Sequence, residues 1–245
     1  MTPENFARHP IDSSSYPSGV ASRLRSRDYS PVPNLYGHWS PKSCALEIQK
    51  YLVDCATGIF RENLYPEALS LLGLRGLQNL KYPNSLFLHN TFTGKHSALP
   101  GWWSAKAVVE PQRIDGKRVH PHLTLGLVQD FNGHENTMIY GELAPIIDVM
   151  YARSQQQIIS EEDEESLFEP EVLPPSGPRA FESDQRFPIL LLSFLRPQHG
   201  RVFYACMDDD ELVIRQSRLY SFERLATAPF DLFTRLFLSQ PLSTA

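Results

Sequence analysis

The stretch from Phe187 to Gln216 constrains the fold most. Phe187 to Leu195 is almost wholly apolar, interrupted at Pro188 and Ser193. It is far shorter than the roughly 18 residues that cross a bilayer, so it reads as a buried strand. Arg201 to Met207 and Glu211 to Gln216 alternate apolar and polar side chains on either side of the acidic turn Asp208–Asp210. Alternation is the period of a strand, and the three segments together predict an antiparallel meander.

Helical spacing precedes and follows this meander. Ser43 is placed to cap a helix and Glu47 suits its first turn, while Ile48, Leu52, Cys55 and Ile59 form one apolar stripe. A shorter helix is expected from Pro66 to near Gly73. Leu143 to Gln157 reads as a helix with Leu143, Ile146, Ile147 and Met150 inward, provided Pro145 sits in its first turn. A last helix opens at Pro229 and presents Phe230, Phe233 and Phe237. Between the early helices and Leu143 the pattern is β-like. Leu86–Leu88, Ala105–Val109 and Leu123–Val128 read as extended, Thr93–Lys95 and Asn132–Gly133 as turns, and Asp115–Gly116 as the corner of a two-residue hairpin. This order predicts an α+β fold, a largely antiparallel β-sheet flanked by helices.

Composition shifts set the domain outline. Residues 1–41 are rich in Ser, Pro and Arg and read as an extended arm, with a small basic cluster at Arg23, Arg25 and Arg27. Residues 42–245 then form a single domain, interrupted at about 158–185 by a flexible acidic, proline-rich loop. Glu161 to Glu165 are consecutive acids, and Pro170, Pro174, Pro175 and Pro178 follow. With 42% hydrophobic and 11% aromatic residues, the chain has material for a sizeable core. A formal net charge of −5 gives no global support to binding through nucleic-acid phosphates. The 3 cysteines, Cys44, Cys55 and Cys206, include no C-x-x-C pair, which argues against a disulfide scaffold or structural zinc and for a cytoplasmic or nuclear setting. The start, Met1 to Phe6, lacks the charged and apolar regions of a secretory leader, and no membrane span is expected.

The segment Phe187-Pro-Ile-Leu-Leu-Leu-Ser-Phe-Leu-Arg-Pro-Gln-His-Gly-Arg-Val-Phe-Tyr-Ala-Cys-Met-Asp, with Leu212 to Tyr220, Gly141-Glu142 and Phe230 to Arg235, resembles a family of uncharacterised proteins from filamentous fungi. The resemblance covers roughly the last hundred residues apart from the acidic insert. It implies a kind of host and no activity, cofactor or catalytic residue.

Five groups of residues are candidates for function. The order helix, β-meander, helix is similar to that of metal-dependent nucleases of the PD-(D/E)xK type, whose carboxylates hold Mg²⁺ or Mn²⁺. Under that reading Asp130 and Glu142 are the catalytic carboxylates, although Ala144 stands where the family has Lys, and nucleic acid is the substrate. His120 and His122, at i and i+2, could share a metal, with His89, His96 or His134 as further ligands. Arg196, His199 and Arg201 lie in one short loop that could bind an anion or a peptide carboxylate. Trp102 and Trp103 could anchor a partner or fill a core. Asp208 to Glu211 lacks the spacing of an EF-hand. No phosphate loop, nucleophile elbow, dinucleotide fingerprint, zinc-protease or kinase signature is present. The balance favours a non-catalytic interaction or regulatory module with a protein partner and no cofactor. The metal-dependent nuclease is the alternative, and a small-molecule binding protein or unfamiliar enzyme is a third.

Overall fold

The computed structural model describes residues 6–7, 40–58, 70–80, 84–88, 92–95, 101–168 and 177–241. The arm expected over 1–41 therefore lies almost entirely outside the described residues, as do Pro66, His89, His96 and the prolines at 170, 174 and 175.

Helix α1 spans Pro41–Thr57. It begins two residues before Ser43 because Ser40 is the cap: the Ser43 amide donates to Ser40 Oγ at 3.2 Å, and Pro41 occupies the first turn. Gly58, at φ 71, ends it in the left-handed conformation. Ile48, Leu52 and Cys55 are buried as the stripe predicts. A four-residue helix, α2 (Leu71–Leu74), leads into the sheet.

The sheet has eight strands: β1 (Leu77–Asn79), β2 (Thr93–Lys95), β3 (Trp102–Pro111), β4 (Leu123–Asn132), β5 (Ile189–Arg196), β6 (His199–Asp208), β7 (Glu211–Gln216) and β8 (Tyr220–Ser221). Its spatial order is β1-β3-β4-β5-β6-β7, with β2 on β3 and β8 on β6. Pairing is antiparallel throughout except between β4 and β5, which are parallel from Leu123–Ile189 to Val128–Phe194. Parallel neighbours need a crossover, and helix α3 (Tyr140–Gln155) lies within it. Separately, Phe6–Ala7 pairs with Gln240–Pro241. The hairpin corner expected at Asp115–Gly116 is present: Ile114 and Lys117 bond each other, and both central residues take positive φ, 49 and 72. That is the geometry of a type I′ turn, which suits the twist of flanking strands.

Helices cover both faces, as alternation along the central strands requires. On one face Leu190, Leu192 and Phe194 of β5 meet Ile48 and Leu52 of α1, and Phe233 and Phe237 of α5 (Phe230–Phe237). On the other, Leu125, Leu127, Ile189 and Leu191 meet Ile146, Val149 and Met150 of α3, with Phe181 and Phe187 beside them. The fold is thus α+β, a mostly antiparallel sheet between helices.

Four local expectations are corrected. Leu86–Leu88 is not extended; Ser85–Phe87 is a 3₁₀ turn capped by the Asn84 side chain. Thr93–Lys95 is strand β2 rather than a turn. Ile147 does not face the core but is 46% exposed. Pro145 lies in the second turn of α3, not the first. A proline there leaves the carbonyl four residues back, that of Gly141, without its helical donor. The Gln129 side chain on β4 supplies the replacement, donating Nε2–H to Gly141 O. Trp103 completes this junction. It is buried, and a Cβ on Gly94 would lie 2.6 Å from its ring, a Cβ on Gly141 2.8 Å from it and 2.4 Å from Gln129 Oε1.

Replacing Gly141 by Ala is therefore expected to destabilise the protein by about 1–3 kcal/mol, the cost of overpacking a tight core. Gly177→Ala, where a Cβ meets nothing closer than 4.0 Å, is expected to be nearly neutral. Urea unfolding of both variants checks the contrast.

Candidate functional site

Glu142 enters the core in the first turn of α3 and there meets Arg201 of β6, both side chains being 0% exposed. Arg201 Nε donates to Glu142 Oε1 at 2.8 Å and Nη2 donates to Oε2 at 2.5 Å. Ser193 Oγ adds a second donor to Oε1 at 2.8 Å, and the Ile139 amide a second to Oε2 at 3.0 Å. The remaining Arg201 nitrogen, Nη1, donates to the carbonyls of His134 and Thr137. The carboxylate is thus engaged by four donors, and four of the five guanidinium N–H groups are used. Asp130, half-buried at the end of β4, is held by a different cation, Arg196 Nη1 at 2.9 Å. These two carboxylates do not fit a shared Mg²⁺ or Mn²⁺, because each is already matched to a guanidinium. No trio of His, Cys, Asp or Glu among the described residues is arranged to hold a metal ion.

The same pairing changes the reading of the Arg196–Arg201 loop. It is the tight turn of the β5–β6 hairpin, in which Leu195 and His199 are partners. Arg201 is sealed inside and is not offered to an incoming anion, while Arg196 is paired with Asp130 through Nη1 and stays partly exposed. His199 is half-buried at the start of β6. Gly200 is needed here because a Cβ would come within 2.9 Å of Phe222 and 3.1 Å of Phe233. Trp103 is core, not surface. Trp102 is half-buried, and its ring carries Lys42 Nζ at 4.3 Å and Lys106 Nζ at 5.4 Å.

A second buried charge cluster lies at the other end of α3. Arg153, near the end of α3, donates to Glu110 Oε2 of β3 at 2.7 Å, to Gln156 Oε1 at 2.6 Å and to the carbonyls of His120 and Pro121. The Phe181 ring covers its guanidinium at 4.6 Å. Arg118 approaches Glu110 at 3.4 Å, and Arg113 and Arg118 both donate to Glu164 Oε1 at 2.7 Å. Burial raises the Glu110 carboxyl, but the guanidiniums of Arg153 and Arg118 outweigh it and leave the group below the usual carboxylate range. Burial lowers Arg153 to about 10, with Glu110 opposing the shift. The segment expected to be a solvated acidic loop is thus docked where it is described. Helix α4 (Glu161–Glu164) delivers Glu164 to the two arginines, Ile159 and Phe181 are buried, and backbone bonds join Ile158 to Pro178 and Ala180 to Gln156. His120 and His122 lie at the rim of the cluster with ring centroids 6.0 Å apart. Burial, then His120 and Arg153, press His122 down to about 4.

One signal in the sequence points to both clusters. Glu142, Ile146, Val149 and Arg153 stand at i, i+4, i+7 and i+11, so a stripe through Ile146 carries a charge at each end. The three thiols are buried and raised by desolvation, Cys55 to about 11, which makes them poor nucleophiles.

With Glu142 and Arg153 inward, α3 turns apolar residues outward. Tyr140, Ile147 and Tyr151 are exposed, Tyr151 to 67%. Ile147, Met150, Tyr151 and Ser154 form one wall of a groove of about 310 Å³, and Gln185, Phe187, Met207 and Leu212 form the other. Four acidic residues, Asp148, Asp184, Asp208 and Glu211, stand next to these lining positions in the sequence. The exposed Arg186 is paired with Asp208 at 2.9 Å.

No family model matches the chain, and neither do the curated proteins nor the solved structures compared with it. No described helix is long and apolar enough to cross a membrane.

Arg201→Met is expected to cost about 3–5 kcal/mol, because it leaves Glu142 buried without its cation, whereas the double change with Glu142→Leu recovers much of that loss. Denaturant unfolding of the single and double variants separates the two outcomes. The His122 shift predicts a pH dependence. The unfolded chain binds a proton at this group near 6.5 and the folded protein only near 4. The unfolded state holds more protons between those values, so stability falls as pH drops from about 6.5 to 4, by roughly 3 kcal/mol. His122→Gln flattens that part of the stability profile.

Proposed function

We propose that this chain is a protein-interaction module that seats an apolar, positively charged segment of a partner protein in the groove between α3 and the β6–β7 hairpin. The observation that carries the reading is the outward apolar stripe of α3, Ile147 and Tyr151, continuous with Met150, Phe187, Met207 and Leu212. Contiguous exposed apolar surface with a polar rim is the character of a binding surface, and aromatic residues supply most of the energy at such sites. The acidic rim selects the occupant: it attracts a cationic segment, speeds its encounter and repels acidic ones. An amphipathic helix laid in a groove matches this combination of floor and rim.

The test uses a labelled synthetic amphipathic peptide of Leu and Lys, followed by fluorescence anisotropy. The wild-type protein is expected to bind it, more weakly as salt rises, and not to bind the same peptide with Glu in place of Lys. Tyr151→Asp, at an exposed position that leaves the core untouched, is expected to weaken binding roughly tenfold or more. Equal binding by wild type and Tyr151→Asp would remove the groove from consideration.

A further inference from the structure

The connection between β3 and β4 holds a second site. Arg113 and Arg118 flank the Asp115–Gly116 turn and direct Nη2 of each guanidinium at one oxygen, Glu164 Oε1, both at 2.7 Å. With Arg153 behind them, three guanidiniums and two carboxylates, Glu110 and Glu164, gather here among the described residues. The two carboxylates are placed differently. Glu110 belongs to a central strand, is 1% exposed and is tied to Arg153 and Gln78. Glu164 comes from outside, is 12% exposed, and stands at the mouth of the cluster.

The element that delivers Glu164 is slight. Helix α4 is four residues long, a single turn, which cannot stand on its own in water. It is held by burial of Ile159, by the Ser160 cap on the Asp163 amide at 3.1 Å, and by the two arginine contacts of Glu164. When Glu164 leaves, Arg113 and Arg118 lose the oxygen on which both converge, while Glu110 stays engaged by Arg153 and Arg118. Two guanidiniums whose Nη2 groups converge on one point are a receptor for an oxyanion with several acceptor oxygens. A phosphoryl group brings more charge and more acceptor oxygens than the single carboxylate oxygen now bridging the pair.

We propose that Arg113 and Arg118 form a phosphoryl-binding site that Glu164 occupies in cis, and that a phosphoryl ligand displaces Glu164 and α4 with it. The site lies on the β3–β4 connection rather than in the α3 groove, so it does not rest on the interaction reading above.

The test is carried out on the full chain with inorganic phosphate and with O-phosphoserine, each against chloride at matched ionic strength, by thermal shift and calorimetry. Glu164→Gln removes the internal anion and keeps its size. It is expected to bind phosphate saturably and at least roughly tenfold more tightly than the wild type, which must first expel its own carboxylate. Adding Arg118→Met to Glu164→Gln is expected to abolish the binding. Binding of both ligands assigns recognition to the phosphoryl group itself, and binding of O-phosphoserine alone assigns it to a phosphorylated side chain. If Glu164→Gln binds neither ligand, binds no better than the wild type, or still binds after Arg118→Met, the proposal is overturned. Hydrogen exchange on the wild type gives an independent reading that requires no variant to fold. Phosphate is expected to speed exchange of the Glu164 amide, which donates to Ser160 O at 3.1 Å, and an unchanged rate at saturating phosphate counts against displacement.

Discussion

The Glu142–Arg201 pair is the contact on which the rest of the architecture depends. It joins the first turn of α3 to β6, with Ser193 of β5 as a third member, and so ties the crossover helix to both strands that follow it. Bringing two charges out of water is costly, and the cost is offset only when geometry is good and every polar atom is matched. Here four donors satisfy the carboxylate and two carbonyls take the spare guanidinium nitrogen. A pair of this kind permits one registration of the helix on the sheet: sliding α3 by a turn would strand both charges. The second cluster, around Arg153 and Glu110, fixes the other end of the same helix. Two charge locks, one at each end, hold α3 in rotation as well as position. That rotation is what leaves Ile147 and Tyr151 outside.

The architecture was largely legible. The meander of β5 to β7, the strands at 105–109 and 123–128, the Asp115–Gly116 corner and the helices α1, α3 and α5 all follow from period and turn chemistry. Long periodic segments declare themselves because burial enforces their period. The parallel β4–β5 pairing did not, since pairing partners are set by a crossover and leave no local pattern. The same holds for β2, whose Gly94 reads as a turn residue. It is glycine because the Trp103 ring lies against it.

The site was less legible, for a reason specific to α3. Hydrophobicity alone chooses Leu143, Ile146, Ile147 and Met150 as the inward face, and treats Glu142 and Arg153 as solvent-facing. Both charges are inside, because partners more than forty residues away in sequence neutralise them. An orientation rule that counts apolar residues fails when long-range ion pairs outweigh it. The acidic run misled in the same way. A stretch of like charges ordinarily stays in water, and Glu164 is drawn in because Arg113 and Arg118 await it.

The parallel pairing of β4 with β5 has a consequence for how the chain reaches this state. The β3–β4 hairpin and the β5–β6–β7 meander are each built from neighbours in sequence and can form early. The contact between them cannot. It closes a long loop that contains α3, α4 and the segment ending at Phe187, and the entropy of that closure is spent before any ladder bond between the halves is made. The domain therefore assembles as two locally formed halves joined late across its own centre. Until then the facing edges of β4 and β5 carry unpaired backbone donors and acceptors.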